Sequence, residues 1–446
     1  MSAEEERINF LPMRNLIPSL IFCFICLSCK KETEEVVVIT PATDMTVQLK
    51  IDQQINDSTL VLKWSKYPRG HFQKYRLVRT ATYLKNGQFS IYSEPVDSST
   101  DINHLSFTEN NMPLARDIYY DLYVKQDSTQ YYQGFQQVAR LYYPRPNSLV
   151  YGTPKDVLIN RQQQWLYVTE QNKITVVDYT TGRVIRSKDF PVSISFCSLG
   201  DFNGNNELYV PVNDGWLQIL DAATLQLKDR IYIGGYDIGS VAAVNGKLYV
   251  SSSDMSASGY SNCIKVYDRA NKTEIGRTGF WDRTRLLPLE GTSVEMIDLT
   301  INLAPIDLCY YQFSAAGLPL IKKEDSYHGD YQMNPNIVRS FPDGSKFITS
   351  SSGTIFNKSL VFDRYIKQNG SYSDFAFNSD GSLIYAANAS QNKIDVVTYP
   401  GTTTISSYPT KYSPFKIFRD GNTLICVGKA ASGQYTNYHL NEKINL

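Results

Sequence analysis

Few residues in this chain have both the type and the spacing to do chemistry. Asp201-Phe-Asn203-Gly-Asn205-Asn-Glu207 places side-chain oxygens at alternate positions, as in short loops that wrap a hard cation. Asp201, Asn203, Asn205 and Glu207 are therefore candidate ligands for calcium; no other cofactor is expected. The same stretch aligns with Phe341-Pro-Asp-Gly and Phe377-Asn-Ser-Asp-Gly, where Asn and Gly serve a hairpin turn and no ion is required. Of the four histidines, at positions 71, 104, 328 and 439, His328 is the natural base for a nucleophile, in the polar connector Glu324-Asp-Ser-Tyr-His-Gly-Asp-Tyr331. No Gly-x-Ser-x-Gly elbow accompanies it. A carboxylate pair for glycoside chemistry can always be assembled from 44 acidic residues, so acids alone indicate nothing.

A second set of candidates is aromatic. Gly235-Tyr-Asp-Ile, the stretch 251–262 with Tyr260, Gly279-Phe-Trp-Asp-Arg283 and Ser326-Tyr-His-Gly-Asp-Tyr331 are connectors rich in rings. Tyr236, Tyr260, Trp281, Tyr327 and Tyr331, with His328, form a candidate ligand-binding sector, each Tyr or Trp offering an apolar face and a polar handle. Because the chain holds 32 tyrosines, the alternative reading is that such rings only cap a core.

The elements that must position these residues come from a repeat. A strand, a tight turn, a second strand such as Leu166-Tyr-Val-Thr169 and a third ending near Asp recur along the C-terminal two thirds. The third strand is clearest in Asn172-Lys-Ile-Thr-Val-Val-Asp178, Gly215-Trp-Leu-Gln-Ile-Leu-Asp221, Asn262-Cys-Ile-Lys-Val-Tyr-Asp268 and Asn392-Lys-Ile-Asp-Val-Val-Thr398. A looser copy is Asn357-Lys-Ser-Leu-Val-Phe-Asp363, and Phe313 and His439 stand as the markers of the two most divergent copies. Successive markers lie 35 to 50 residues apart, the period of four strands per propeller blade. Asn245-Gly246 supplies the positive-φ pair of a two-residue hairpin between first and second strands. These strings resemble the YVTN-type bacterial β-propeller repeats. The resemblance implies a seven-bladed β-propeller over residues 146–446, in which second-to-third and blade-to-blade connections share one face, placing the aromatic sector there. After the last third strand little chain remains, so Asn147-Ser-Leu-Val-Tyr151 is expected to complete a blade by strand exchange between the two ends.

Residues 30–145 read as a separate all-β unit of short strands without helical periodicity. Leu60-Val-Leu-Lys-Trp64, Phe72-Gln-Lys-Tyr-Arg-Leu, and Leu114 followed by Tyr120, Leu122 and Val124 resemble a fibronectin type III β-sandwich. The resemblance makes Trp64 the core ring and Tyr120 a corner tyrosine bonding back to the chain. Pro144-Arg-Pro-Asn is the expected hinge.

The first 29 residues carry the address. Met13-Arg-Asn, an apolar stretch from Leu16 to Leu27 and Ser28-Cys29 before the charged run Lys30-Lys-Glu-Thr-Glu-Glu35 resemble a bacterial lipoprotein signal. That resemblance makes Cys29 the lipidated residue, anchoring the chain in the outer membrane or at the cell surface. Translation is expected to start at Met13, since residues 1–12 are acidic. Twelve apolar residues are too few for a spanning helix, whereas two acyl chains suffice for stable anchoring. With 44 basic and 44 acidic residues no overall bias toward nucleic acid is present. Cys197, Cys263, Cys309 and Cys426 lack any Cys-x-x-Cys spacing and read as buried strand residues.

The expected function is that of a membrane-anchored lipoprotein whose propeller binds a glycan, a peptide or an outer-membrane protein. The alternative is a propeller enzyme, a glycan hydrolase or lyase acting in the funnel. Scarce histidine and the lack of an elbow favour binding.

Overall fold

The computed structural model describes residues 47–446 apart from 57, 86–87, 116, 127–133, 145–149, 235–236, 254–261, 292–293, 302 and 430–437. Among them there is no helix; every regular element is a strand. Cys29, Tyr236 and Tyr260 lie outside the described residues.

Two sheets form the N-terminal unit. Leu49–Asn56, Thr59–Trp64 and Ser106–Glu109 make one; Gln88–Ser99, Phe72–Lys85, Asp117–Gln126 and Phe135–Pro144, in that spatial order, make the other. Period-two alternation turns Leu60, Leu62 and Trp64 inward against Tyr75, Leu77, Tyr120 and Leu122. Trp64 meets Tyr75 edge to face at 5.9 Å. Tyr120 departs from the corner expectation. Its hydroxyl donates to the Glu109 carboxylate at 3.1 Å in the facing sheet, not to nearby backbone. Arg79 holds that same carboxylate from the side, so the ring is tied into a buried polar cluster.

Seven four-stranded antiparallel sheets follow, numbered one to seven in chain order. Their first strands are Asp156–Asn160, Ser198–Phe202, Ile238–Val244, Thr284–Pro288, Val338–Ser340, Tyr372–Phe377 and Ser413–Asp420. Turn chemistry explains the repeat. Asn203-Gly204 (φ 53° and 76°) and Asn245-Gly246 (49° and 70°) are both two-residue turns with positive φ throughout. Asp343 and Asp380 each accept from the backbone and hydroxyl of the Ser two places on, which fixes the Asp-Gly-Ser hairpins. The Asp that ends the third strand has a similar task. Asp178 and Asp221 accept from Thr180 and Thr224, closing the turn into the fourth strand.

Apolar clusters between successive sheets bury faces that no sheet could cover alone, giving a propeller-like array. One cluster joins its ends: Val157, Leu166 and Val177 of sheet one pack against Phe418, Ile425 and Val427 of sheet seven. The expected strand exchange is present. Val150–Tyr151 pairs antiparallel with Tyr438 and His439, completing sheet seven from the other end of the array.

Two markers are corrected. In sheet five the third strand is Thr354–Asn357 and Asp363 falls in the fourth, Phe362–Tyr365. The tight turn at Ser350–Gly353 and strands of only four residues advance the register there. His439 lies near the start rather than the end of the described strand Tyr438–Asn445, which pairs with Thr423–Lys429 as far as Asn445.

Candidate functional site

The first strands converge, and the proof is contact between sheets that are not neighbours. Asp156 of sheet one forms an ion pair with Arg285 of sheet four at 2.8 Å. Lys416 of sheet seven donates to the Asn336 carbonyl before sheet five at 2.7 Å and lies 3.5 Å from Asp156. Asp374 of sheet six takes both Arg339 nitrogens, at 2.9 and 2.6 Å, together with the Ile417 amide at 2.9 Å. Arg285 lies over the Phe196 ring at 3.8 Å and Arg339 over Phe418 at 4.9 Å. The centre of the array is thus crossed by paired charges from sheets one, four, five, six and seven. Burial alone would raise the Asp156 carboxyl, but Arg285, Lys416 and Arg339 outweigh it and hold it well below the usual range. Lys155, whose ammonium donates to the Ile194 carbonyl at 3.0 Å, is pulled down by burial.

Sequence reasoning missed this network. The signal was present: Lys155-Asp156-Val, Thr284-Arg285-Leu, Val338-Arg339-Ser, Ser373-Asp374-Phe and Phe415-Lys416-Ile each put a charge near the start of a first strand.

The described members of the aromatic sector are Trp281, Tyr327, His328 and Tyr331. Trp281 is half-buried against sheet four, its indole donating to Glu324 at 2.7 Å. Tyr327 and Tyr331 pack between sheets four and five. Tyr331 stacks on Phe362 at 4.2 Å, and the Tyr327 hydroxyl accepts the Phe362 amide at 3.1 Å. These two rings contribute to the packing between sheets four and five. His328 is exposed beside them. Around His328 gather Asp307, Glu324 and Asp325. Burial, then the neighbouring Asp307 charge, pushes Asp325 up to about 7, and burial, then Glu324, raises Asp307. Asp325 is thus a carboxyl that exchanges its proton near neutrality.

The four candidate calcium ligands are not brought together. Asn203-Gly204 is the turn itself, and Asp201 accepts the Gly204 amide at 3.1 Å. Glu207 pairs with Gly200 across the hairpin, while Asp201 pairs with Asn206, so the two carboxylates leave opposite faces of the strand pair. Glu207 is instead gripped by Arg269 at 2.7 and 2.9 Å and by Tyr209 at 2.8 Å. Among the described residues no group of three or more His, Cys, Asp or Glu is arranged to hold a metal ion. The four cysteines among the described residues are buried, and burial pushes Cys197 up to about 12.

No family model matches this chain, and no curated protein matches it. Among solved structures it is similar to Kuenenia stuttgartiensis hydrazine synthase, at 14% identity and a TM-score of 0.47, over 66% of this chain and 96% of that one.

Proposed function

We propose that this chain is a lipid-anchored binding protein of the outer membrane or cell surface. Cys29 carries the lipid, a fibronectin type III-like sandwich is the spacer, and a seven-bladed propeller takes up a glycan or protein partner. Sheet orders of three and four strands support the sandwich, and seven four-stranded sheets joined end to end by one apolar cluster support the blade count. The observation that carries binding over turnover is the pairing of the central charges. Asp156 and Asp374 are held by Arg285, Arg339 and Lys416, so these two acids of the funnel are committed to its bases. The exposed His328 and the half-buried Trp281 lie instead on connectors, loops carried by a rigid scaffold.

The full-length chain, Cys29→Ser, and Trp281→Ala with His328→Ala are to be compared for membrane partition and for retention on an array of glycans and peptides. The expectation is that Cys29→Ser leaves the membrane fraction and that the double variant loses at least about 10-fold in retention, the worth of one buried aromatic anchor. Membrane partition unchanged in Cys29→Ser would remove the anchor, and unchanged retention in the double variant would remove the connector face as the binding site.

A further inference from the structure

At the opposite end of the array, where first strands turn into second strands, the centre opens into a cavity of about 510 Å³. Its walls come from sheets one, four, five, six and seven. Three arginines line it, Arg161, Arg339 and Arg419, with Glu290 as the one acidic residue of the lining, and Arg339 is paired with Asp374 behind it. Apart from Ser340 the rest of the lining is apolar, with Phe375, Phe377 and Phe418 as its rings. Arg339 is pinned from behind by Asp374 and lies over Phe418, which fixes its guanidinium at the inner end. Arg161 donates its Nε to the Arg419 carbonyl at 3.0 Å, which sets its planar fork at the rim. The Arg419 Nε is buried with no hydrogen-bond partner among the described residues. An unsatisfied buried donor is costly and calls for an acceptor.

We propose that this mouth is a ligand site for a small organic anion, a carboxylate or phosphate carried on an apolar or aromatic body. The arginines recognise the anionic group, and the Phe377 and Phe418 surfaces receive the body. A volume of this size suits a small molecule, and an apolar lining with a few convergent charges is how such sites are built. The site is separate from the connector face around Trp281 and stands or falls independently of it.

The test is calorimetric titration of the full chain with 2-naphthoate, its neutral analogue 2-naphthamide, and inorganic phosphate. Saturable one-to-one binding of 2-naphthoate is expected, with the amide and inorganic phosphate each at least about 10-fold weaker. Arg161→Gln, an exposed substitution, weakens 2-naphthoate by about 10-fold, the worth of one charge-assisted contact at a partly wet rim. Glu290→Gln tightens it by removing the one opposing charge. The proposal is overturned if 2-naphthoate fails to saturate at millimolar concentration, if the amide matches it, or if both variants bind as the wild type does. Unchanged urea midpoints in the two variants establish that any loss is local.

Discussion

Asp298 is the residue whose chemistry is most at odds with its surroundings. It sits in Val294–Thr300, a second strand buried along its whole length, and is itself 0% exposed, amid Thr284, Cys309 and Tyr311. Burial pushes its carboxyl up to about 7. The folded value lies above the unfolded one, so its contribution is complete below about pH 4 and is lost as pH rises through about 7. Each tenfold displacement of the ionisation equilibrium costs about 1.4 kcal/mol. Asp298→Asn cannot ionise. Its urea midpoint relative to that of the wild type should be higher at pH 8 than at pH 5. Equal differences at the two pH values would mean that the acid is already charged in the folded chain.

Among the elements, the completed seventh sheet is the one with a built-in weakness. His439 is 0% exposed, and neither ring nitrogen has a hydrogen-bond partner in good geometry among the described residues, although the Gly152 backbone lies beside it. Burial drives its imidazole down to about 4. Here the unfolded chain binds the proton first, so stability falls as pH drops from about 6.5 toward 4. Amide protection in Val150–Tyr151 and Tyr438–Asn445, corrected for the intrinsic exchange rate at each pH, should fall between pH 7 and pH 5 more than in sheets two and three, and His439→Phe should abolish the difference. Sheets of this kind were readable from short strings: Asn245-Gly246 contains its own turn, and Asp178 and Asp221 their own caps. Register failed at Asp363, where a shortened sheet moved the pattern by one strand, and at His439, where pairing with Thr423–Lys429 carries the strand on to Asn445. The central charges were legible only as a recurring position. That Asp156 meets Arg285 depends on sheets one and four facing each other, which no local string contains.

At the scale of the whole molecule the crossed ion pairs bind sheets that share no edge. Breaking a buried pair by removing one partner costs about 3–5 kcal/mol, whereas replacing both by apolar groups is often neutral. Asp374→Asn should therefore lower the urea midpoint of the array by an amount in that range, and Asp374→Leu with Arg339→Met should recover most of it. The sandwich, which touches sheet seven through the Tyr412 hydroxyl and the Leu114 carbonyl at 3.3 Å, should keep its own transition in both variants. If a single substitution leaves the midpoint unmoved, the centre contributes nothing to cohesion. The pairing of Val150–Tyr151 with Tyr438 and His439 also dictates when the molecule can first exist. The ribosome makes one partner before sheet one and the other only after sheets one to six, so sheet seven stays incomplete while those six are being made. Contacts of such long range are slow to form, and until Tyr438–Asn445 emerges each nascent chain carries an unsealed edge open to its neighbours.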